Sequence, residues 1–148
     1  MREKVEQLEE MMQAYDPAIL PIKHHFADGI YAREMFIPAN AVLTGAVHKT
    51  NHMCILSMGR VRVATEDGPV ELTAPATLIA YPGAKRAIFA LEDSVWTNIH
   101  ATNETDVDKI VEDLTESTAA ELQGGAANKQ QLAHAERELV WLSSQQQP

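Results

Sequence analysis

The sequence predicts an all-β sandwich or small barrel flanked by helices at both ends. Three observations carry this. Between Lys23 and Ala101, short runs of strand-like residues recur at near-regular spacing, separated by turn residues such as Gly, Pro, Asn and Asp. No helical crossover separates them, which excludes a parallel α/β sheet. Outside them the period of the apolar residues changes to that of a helix, at residues 2–14 and again from residue 105 onward.

Taken in order, Val5, Leu8, Met11 and Met12 form one stripe of an amphipathic helix with Glu and Lys opposite. Asp16-Pro17 and Pro21 end it, since proline cannot continue a helix. Ile30–Phe36 fits a strand, with Tyr31, Arg33 and Met35 on one face and Ala32, Glu34 and Phe36 on the other. Gly29 and Pro38-Ala39-Asn40 break the chain around it. Further strands are expected at residues 42–50, 52–58, 60–65, 70–73, 77–81, 87–90 and 95–101. Glu66-Asp67-Gly68-Pro69 is a strong hairpin turn, and Pro82-Gly83 and Glu92-Asp93 are weaker ones. Val107, Ile110, Val111 and Leu114 then make a helical stripe over residues 105–122, with Asp106 and Asp108 suited to its positive end. Gly124-Gly125 is a hinge, and residues 126–143 read as a second helix that either folds back or reaches a partner. The domain organisation expected is an arm over 1–20, a barrel over 21–103, and C-terminal helices over 104–148.

Composition narrows the function. The net charge is −9, and the 12 basic residues are thinly spread, which argues against binding nucleic acid. No apolar run approaches the ~20 residues that span a bilayer, and the charged N-terminus lacks the apolar core of a signal peptide. Cys54 is the only cysteine, so an internal disulfide is ruled out and a reducing compartment fits. There is no Gly-rich phosphate loop and no G-x-S-x-G elbow. Cys54 lies in an apolar run and reads as filler rather than nucleophile.

The chemistry-bearing residues cluster between Gly45 and Arg86. Gly45-Ala46-Val47-His48 leads to His52 and, after an apolar run, to Gly59; Tyr81-Pro82-Gly83-Ala84-Lys85-Arg86 closes the stretch. Here the chain resembles the cupin superfamily, whose members are RmlC-like jelly-roll barrels. Aligned on Gly59, His52 falls in the Glu slot of the first cupin motif, His48 in the second-His slot and Ala46 in the first-His slot. In the second motif Arg86 takes the His slot and Ala90 the Asn slot. The resemblance covers roughly residues 28–101 and implies a cupin-like jelly-roll β-barrel with flanking helices. The chain is also similar to cupin-like proteins of unsettled function encoded by bacteriophages. That likeness rests on His25-Phe26, Gly29, Tyr31-Ala32-Arg33-Glu34, Pro38-Ala39, Gly45, His48-Lys49, Gly83-Ala84-Lys85-Arg86 and the segment from Trp96 to His100.

Neutral imidazoles on adjacent strands can aim at one transition metal, with Zn, Fe, Mn and Ni the candidates. His48 and His52 are the expected ligands. His100, on a face with Trp96 and Asn98, could supply a third nitrogen, and Glu34 or His25 could complete the set. The bland alternative is that these histidines are hydrogen-bonded interior residues. Arg86 cannot coordinate a metal, because a guanidinium stays protonated. It suits an anionic ligand, with Tyr31 and Arg33 as further ligand-binding candidates, or an internal pair with Glu34. Two function classes follow. The first is a non-enzymatic accessory or structural protein, phage-encoded, acting through oligomer or partner contacts. The second is a metal-dependent small-molecule dioxygenase or isomerase. The expected assembly is a homo-oligomer or a complex with a protein partner. The expected location is the cytoplasm, with the host cytoplasm or the virion the setting for a phage protein.

Overall fold

The computed structural model describes residues 2–12, 20–65, 67–117 and 132–134. Helix α1 spans Arg2–Met12. It is followed by β1 (Ile22–Ala27), β2 (Ile30–Ile37), β3 (Ala41–Thr44), β4 (His52–Met58), β5 (Arg60–Thr65), β6 (Gly68–Thr73), β7 (Ala76–Ala80), β8 (Ala87–Ala90) and β9 (Ser94–Ala101). Helix α2 covers Val107–Leu114, and β10 covers Leu132–His134. The strands form two five-stranded antiparallel sheets, ordered β1-β2-β9-β4-β7 and β10-β3-β8-β5-β6. They pack as a jelly roll, the form of β-sandwich that the resemblance implies.

Alternation along the strands builds the space between the sheets. Met35 and Ile37 of β2, Cys54 and Leu56 of β4 and Trp96 of β9 meet Ala41, Leu43, Val61, Val63, Ile88 and Ala90 of the other sheet. The other faces of β3 and β8 are buried too, as is Ala64 of β5. There α1 lays Val5, Leu8 and Met12 over Val42, Ala64, Ala87 and Phe89. This explains why β3 and β8 are buried at every residue, a pattern that strands reach only with both faces covered. At the edge of this contact Lys85 Nζ pairs with Glu9 Oε1 at 2.6 Å, and Thr44 Oγ1 donates to Glu9 Oε2 at 2.9 Å. The helix is thereby tied to the segment leading into β8.

Gly59 makes the step from β4 to β5 at φ +88, and a Cβ there would run into the Asp93 carbonyl and Ser94. The motif glycine of the sequence is thus a position that only glycine fills without strain. The Asp67-Gly68 turn joins β5 to β6 in the expected hairpin, with Thr65 opposite Gly68.

Three expectations need correction. The strand expected over residues 42–50 stops at Thr44. Beyond it Gly45 N donates to the Arg86 carbonyl, and the chain then leaves the sheet to cross the barrel mouth. There Lys49 N donates to Leu114 O at 2.8 Å and Glu116 N to Val47 O at 2.9 Å, so the end of α2 takes the backbone bonds a sheet neighbour would have taken. The second correction concerns residues 126–143, read as a helix. Leu132–His134 are a strand, paired antiparallel with Ala41–Leu43. The free edge of β3 offers unpaired backbone groups that a strand satisfies and a helix cannot. The rest of that segment, and the Gly124-Gly125 hinge, lie outside the described residues. Helix α2 is also shorter than its apolar stripe suggested: Thr115 is extended, and its hydroxyl donates to Val111 O at 2.6 Å.

Candidate metal centre

Three histidines meet inside the mouth of the barrel. His52 is the first residue of β4, on the buried face that Cys54 and Leu56 continue. His100 comes from the neighbouring β9. The register pairs Met53 with Ile99, so the next residue outward on each strand sets His52 beside His100. His48 arrives from the crossing segment, held by its bridge to Thr115 and by Gly83 N, which donates to the His48 carbonyl at 3.0 Å. Ring centroids are 4.2 Å apart for His48 and His52, 4.6 Å for His52 and His100, and 5.1 Å for His48 and His100. One nitrogen from each ring falls within 4.8 Å of the other two.

The surroundings keep these rings neutral. Burial pushes the His48 imidazole down to about 3, with His52 and His100 adding to the fall and a hydrogen bond to the Ala46 backbone opposing it. His100 is pushed down to about 4 by burial, then by His52 and Arg33. His52 is lowered by burial and by the Arg86 guanidinium, against a backbone contact at Thr50. A neutral imidazole has a free lone pair, which a metal requires. The Nδ1 atoms of His52 and His100 are buried without a hydrogen-bond partner among the described residues. Orphaned imidazole nitrogens are uncommon in a core. The donor set fits a first-row transition ion, since three neutral imidazoles with room beside them suit Zn, Fe, Mn or Ni.

The histidines line a cavity of about 90 Å³. Its walls come from the sheet interiors, including Met35, Leu43, Ile88 and Trp96, and its cover comes from Val107, Ile110, Val111 and Leu114 of α2. The stripe on α2 was legible in the sequence, but its role as the cover of the mouth was not. Arg86, Arg33 and Tyr31 all line the cavity. The Tyr31 ring stacks on His100 at 6.1 Å, and its hydroxyl lies 2.7 Å from His24 Nδ1. Trp96 Nε1 donates to Asn98 Oδ1 at 2.9 Å, which orients both side chains on the His100 face. Cys54 is buried, and burial raises its thiol to about 11, as a filler requires.

Glu34 and His25 stand apart. Strand alternation turns Glu34 to the face opposite Tyr31 and Arg33, where its Oε1 lies 3.5 Å from His25 Nε2. Neither joins the three histidines, and Glu34 has taken His25 rather than Arg86 as its neighbour. His48 and His52 occupy positions of the first motif, whereas His100 belongs to neither motif and stands out by its place on the strand face of Trp96 and Asn98.

No family model matches the sequence, and no curated protein matches it. Solved structures do. KdgF from Halomonas sp. superposes with a TM-score of 0.51 at 16% identity, covering 64% of this chain and 94% of that one. A cupin-2 domain protein from Shewanella frigidimarina gives 0.48 at 14% identity, covering 69% and 99%. An HTH_3 family transcriptional regulator from Vibrio cholerae gives 0.48 at 14% identity, covering 64% of this chain and 60% of that one. Likeness at this identity speaks for the fold and leaves function to the site. The chain shares its fold with KdgF, and three of its histidines are placed to hold a metal ion.

Proposed function

We propose that this protein is a metal-dependent cupin that acts on a small molecule, with His48, His52 and His100 as the protein ligands. The observation that carries this reading is the meeting of three neutral imidazoles in one cavity, those of His52 and His100 buried and that of His48 half-buried. Three protein ligands leave positions open for substrate, the pattern of catalytic rather than structural metal sites. A bound ion would supply Lewis acidity, polarising an oxygen of the substrate. The chain's own residues would do the rest. Apolar walls and the α2 cover exclude water, and Trp96 and Asn98 fix the strand face that carries His100. Dioxygenase and isomerase chemistry both fit such a site.

A second reading is an accessory or structural protein, phage-encoded, that works through oligomer or partner contacts. Its support is that Ala46, Arg86 and Ala90 occupy slots where cupin motifs carry ligands or polar residues. The exposed Ile30, Met53 and Ile79 also offer apolar contact surface.

One experiment separates the two. Untagged protein, purified from metal-supplemented cells, is assayed for transition metals together with His48→Ala and His100→Ala variants. Near-stoichiometric metal in the wild type, lost by at least tenfold in both folded variants, is the outcome expected of the metal-dependent reading. Metal-free wild type with a defined oligomeric mass would favour the second.

A further inference from the structure

The cavity holds a cation that the three histidines do not explain. Arg86 enters from the segment before β8, beside His52 and Cys54. Both of these groups sense its charge: it lowers the His52 imidazole and offsets part of the rise at Cys54. Its Nη1 is buried without a hydrogen-bond partner among the described residues, and its Nη2 makes a 3.4 Å contact with the Ile79 carbonyl. A guanidinium hydrogen buried without an acceptor is costly, and an arginine in that state is ordinarily matched by an anion.

That anion is not found in the cavity wall. Among the described residues the lining includes Arg33, Arg86 and three histidines, but no aspartate or glutamate. Glu9, on the far side of the same segment, is engaged by Lys85 and Thr44, and Glu34 faces His25. The Arg86 guanidinium therefore meets no carboxylate among the described lining residues, and a divalent ion would add to the positive charge beside it.

Size and walls narrow the ligand. A volume of about 90 Å³ admits several waters or a short organic acid. It is far below the several hundred Å³ typical of sites for drug-sized ligands. Much of the wall is apolar, which suits a carboxylate with a short carbon body better than an inorganic oxyanion needing donors on every side. A guanidinium fork also matches the planar geometry of a carboxylate.

We propose that Arg86 is the anchor for a small carboxylate, and that the site's ligand is a short organic acid whose carboxylate pairs with Arg86 while its other end faces the three histidines. The second contact rests on the metal reading above; the pairing with Arg86 does not.

The test uses the full chain, as a metal-free form prepared with chelator and as a form loaded with one equivalent of Zn²⁺. Pyruvate, propionate and inorganic phosphate are titrated into each by calorimetry, with Arg86→Gln and Arg86→Lys alongside. The metal-free wild type is expected to bind pyruvate and propionate, and Arg86→Gln to weaken both by about tenfold or more, the size of one lost charge-assisted pairing. Arg86→Lys is expected to recover part of the loss. In all three proteins Zn²⁺ stoichiometry should be unchanged. Phosphate is expected to bind more weakly than either acid. Wild-type affinities left intact by Arg86→Gln would overturn the proposal, as would no carboxylate binding to either form, or tighter binding of phosphate. Failure to take up Zn²⁺, with Arg86-dependent carboxylate binding intact, would sink the metal reading and leave this one standing.

Discussion

Burial of His48 and His100 has a consequence for the metal-free protein that can be measured by titration. Both imidazoles are depressed on folding, from 6.5 to about 3 and about 4. The unfolded chain therefore binds more protons than the folded one below pH 6.5, and stability falls as the solution is acidified. The loss begins near pH 6.5 and deepens until the folded-state values are reached. Within that window it should be on the order of 1 kcal/mol per pH unit for each histidine. Urea midpoints of chelator-treated protein should drop steadily between pH 7 and pH 5, and a His48→Ala, His100→Ala double variant should show a shallower slope. Equal slopes for the two proteins would mean that the rings are not buried as a neutral cluster. Arg86 belongs to this scale too: its Nη1 is buried without a hydrogen-bond partner among the described residues.

Two helices set the limits of the barrel, and each makes a separate prediction. Leu8 of α1 is fully buried against the outer face of the β3–β8–β5 sheet. Leu8→Ala should cost about 2–5 kcal/mol by leaving a cavity between packed layers. Denaturant titration at constant m-value would measure this, and a change below 0.5 kcal/mol would show that α1 is not part of the cooperative fold. Helix α2 begins at Asp106, whose side chain accepts from Asp108 N at 3.0 Å. Asp106→Ala should weaken α2 by about 1 kcal/mol. Hydrogen exchange should then quicken about fivefold in residues 109–115 while β4 and β9 keep their protection. Uniform exchange across both would show that the cover does not open independently of the barrel. The sequence disclosed most of these elements, because periods of two and of 3.6 are local properties. It gave His52 and His100 their correct faces for the same reason. It misplaced the end of β3, since Val47 continues the alternation of Val42 to Thr44 while its backbone partner is Glu116, nearly seventy residues away. It also could not foretell that the outer faces of β3 and β8 are covered by α1, which is decided by contacts far apart in the chain.

At the scale of the molecule, the jelly roll brings a crossing segment and two adjacent strands to one mouth, and α2 closes over them. The barrel body supplies the rigid frame, with Gly59 and the two antiparallel sheets fixing where β4 and β9 end. The three histidines thus converge from residues 48, 52 and 100, a separation that no single motif spans. No helix among the described residues is long and apolar enough to cross a membrane. The central claim is that this convergence is a metal centre. X-ray absorption at the edge of the ion recovered with the protein tests it most directly. The account predicts three imidazole nitrogens in the first shell, at about 2.0–2.1 Å if the ion is zinc, with one lost in His100→Ala. A first shell without imidazole, or one unchanged by that substitution, would contradict it.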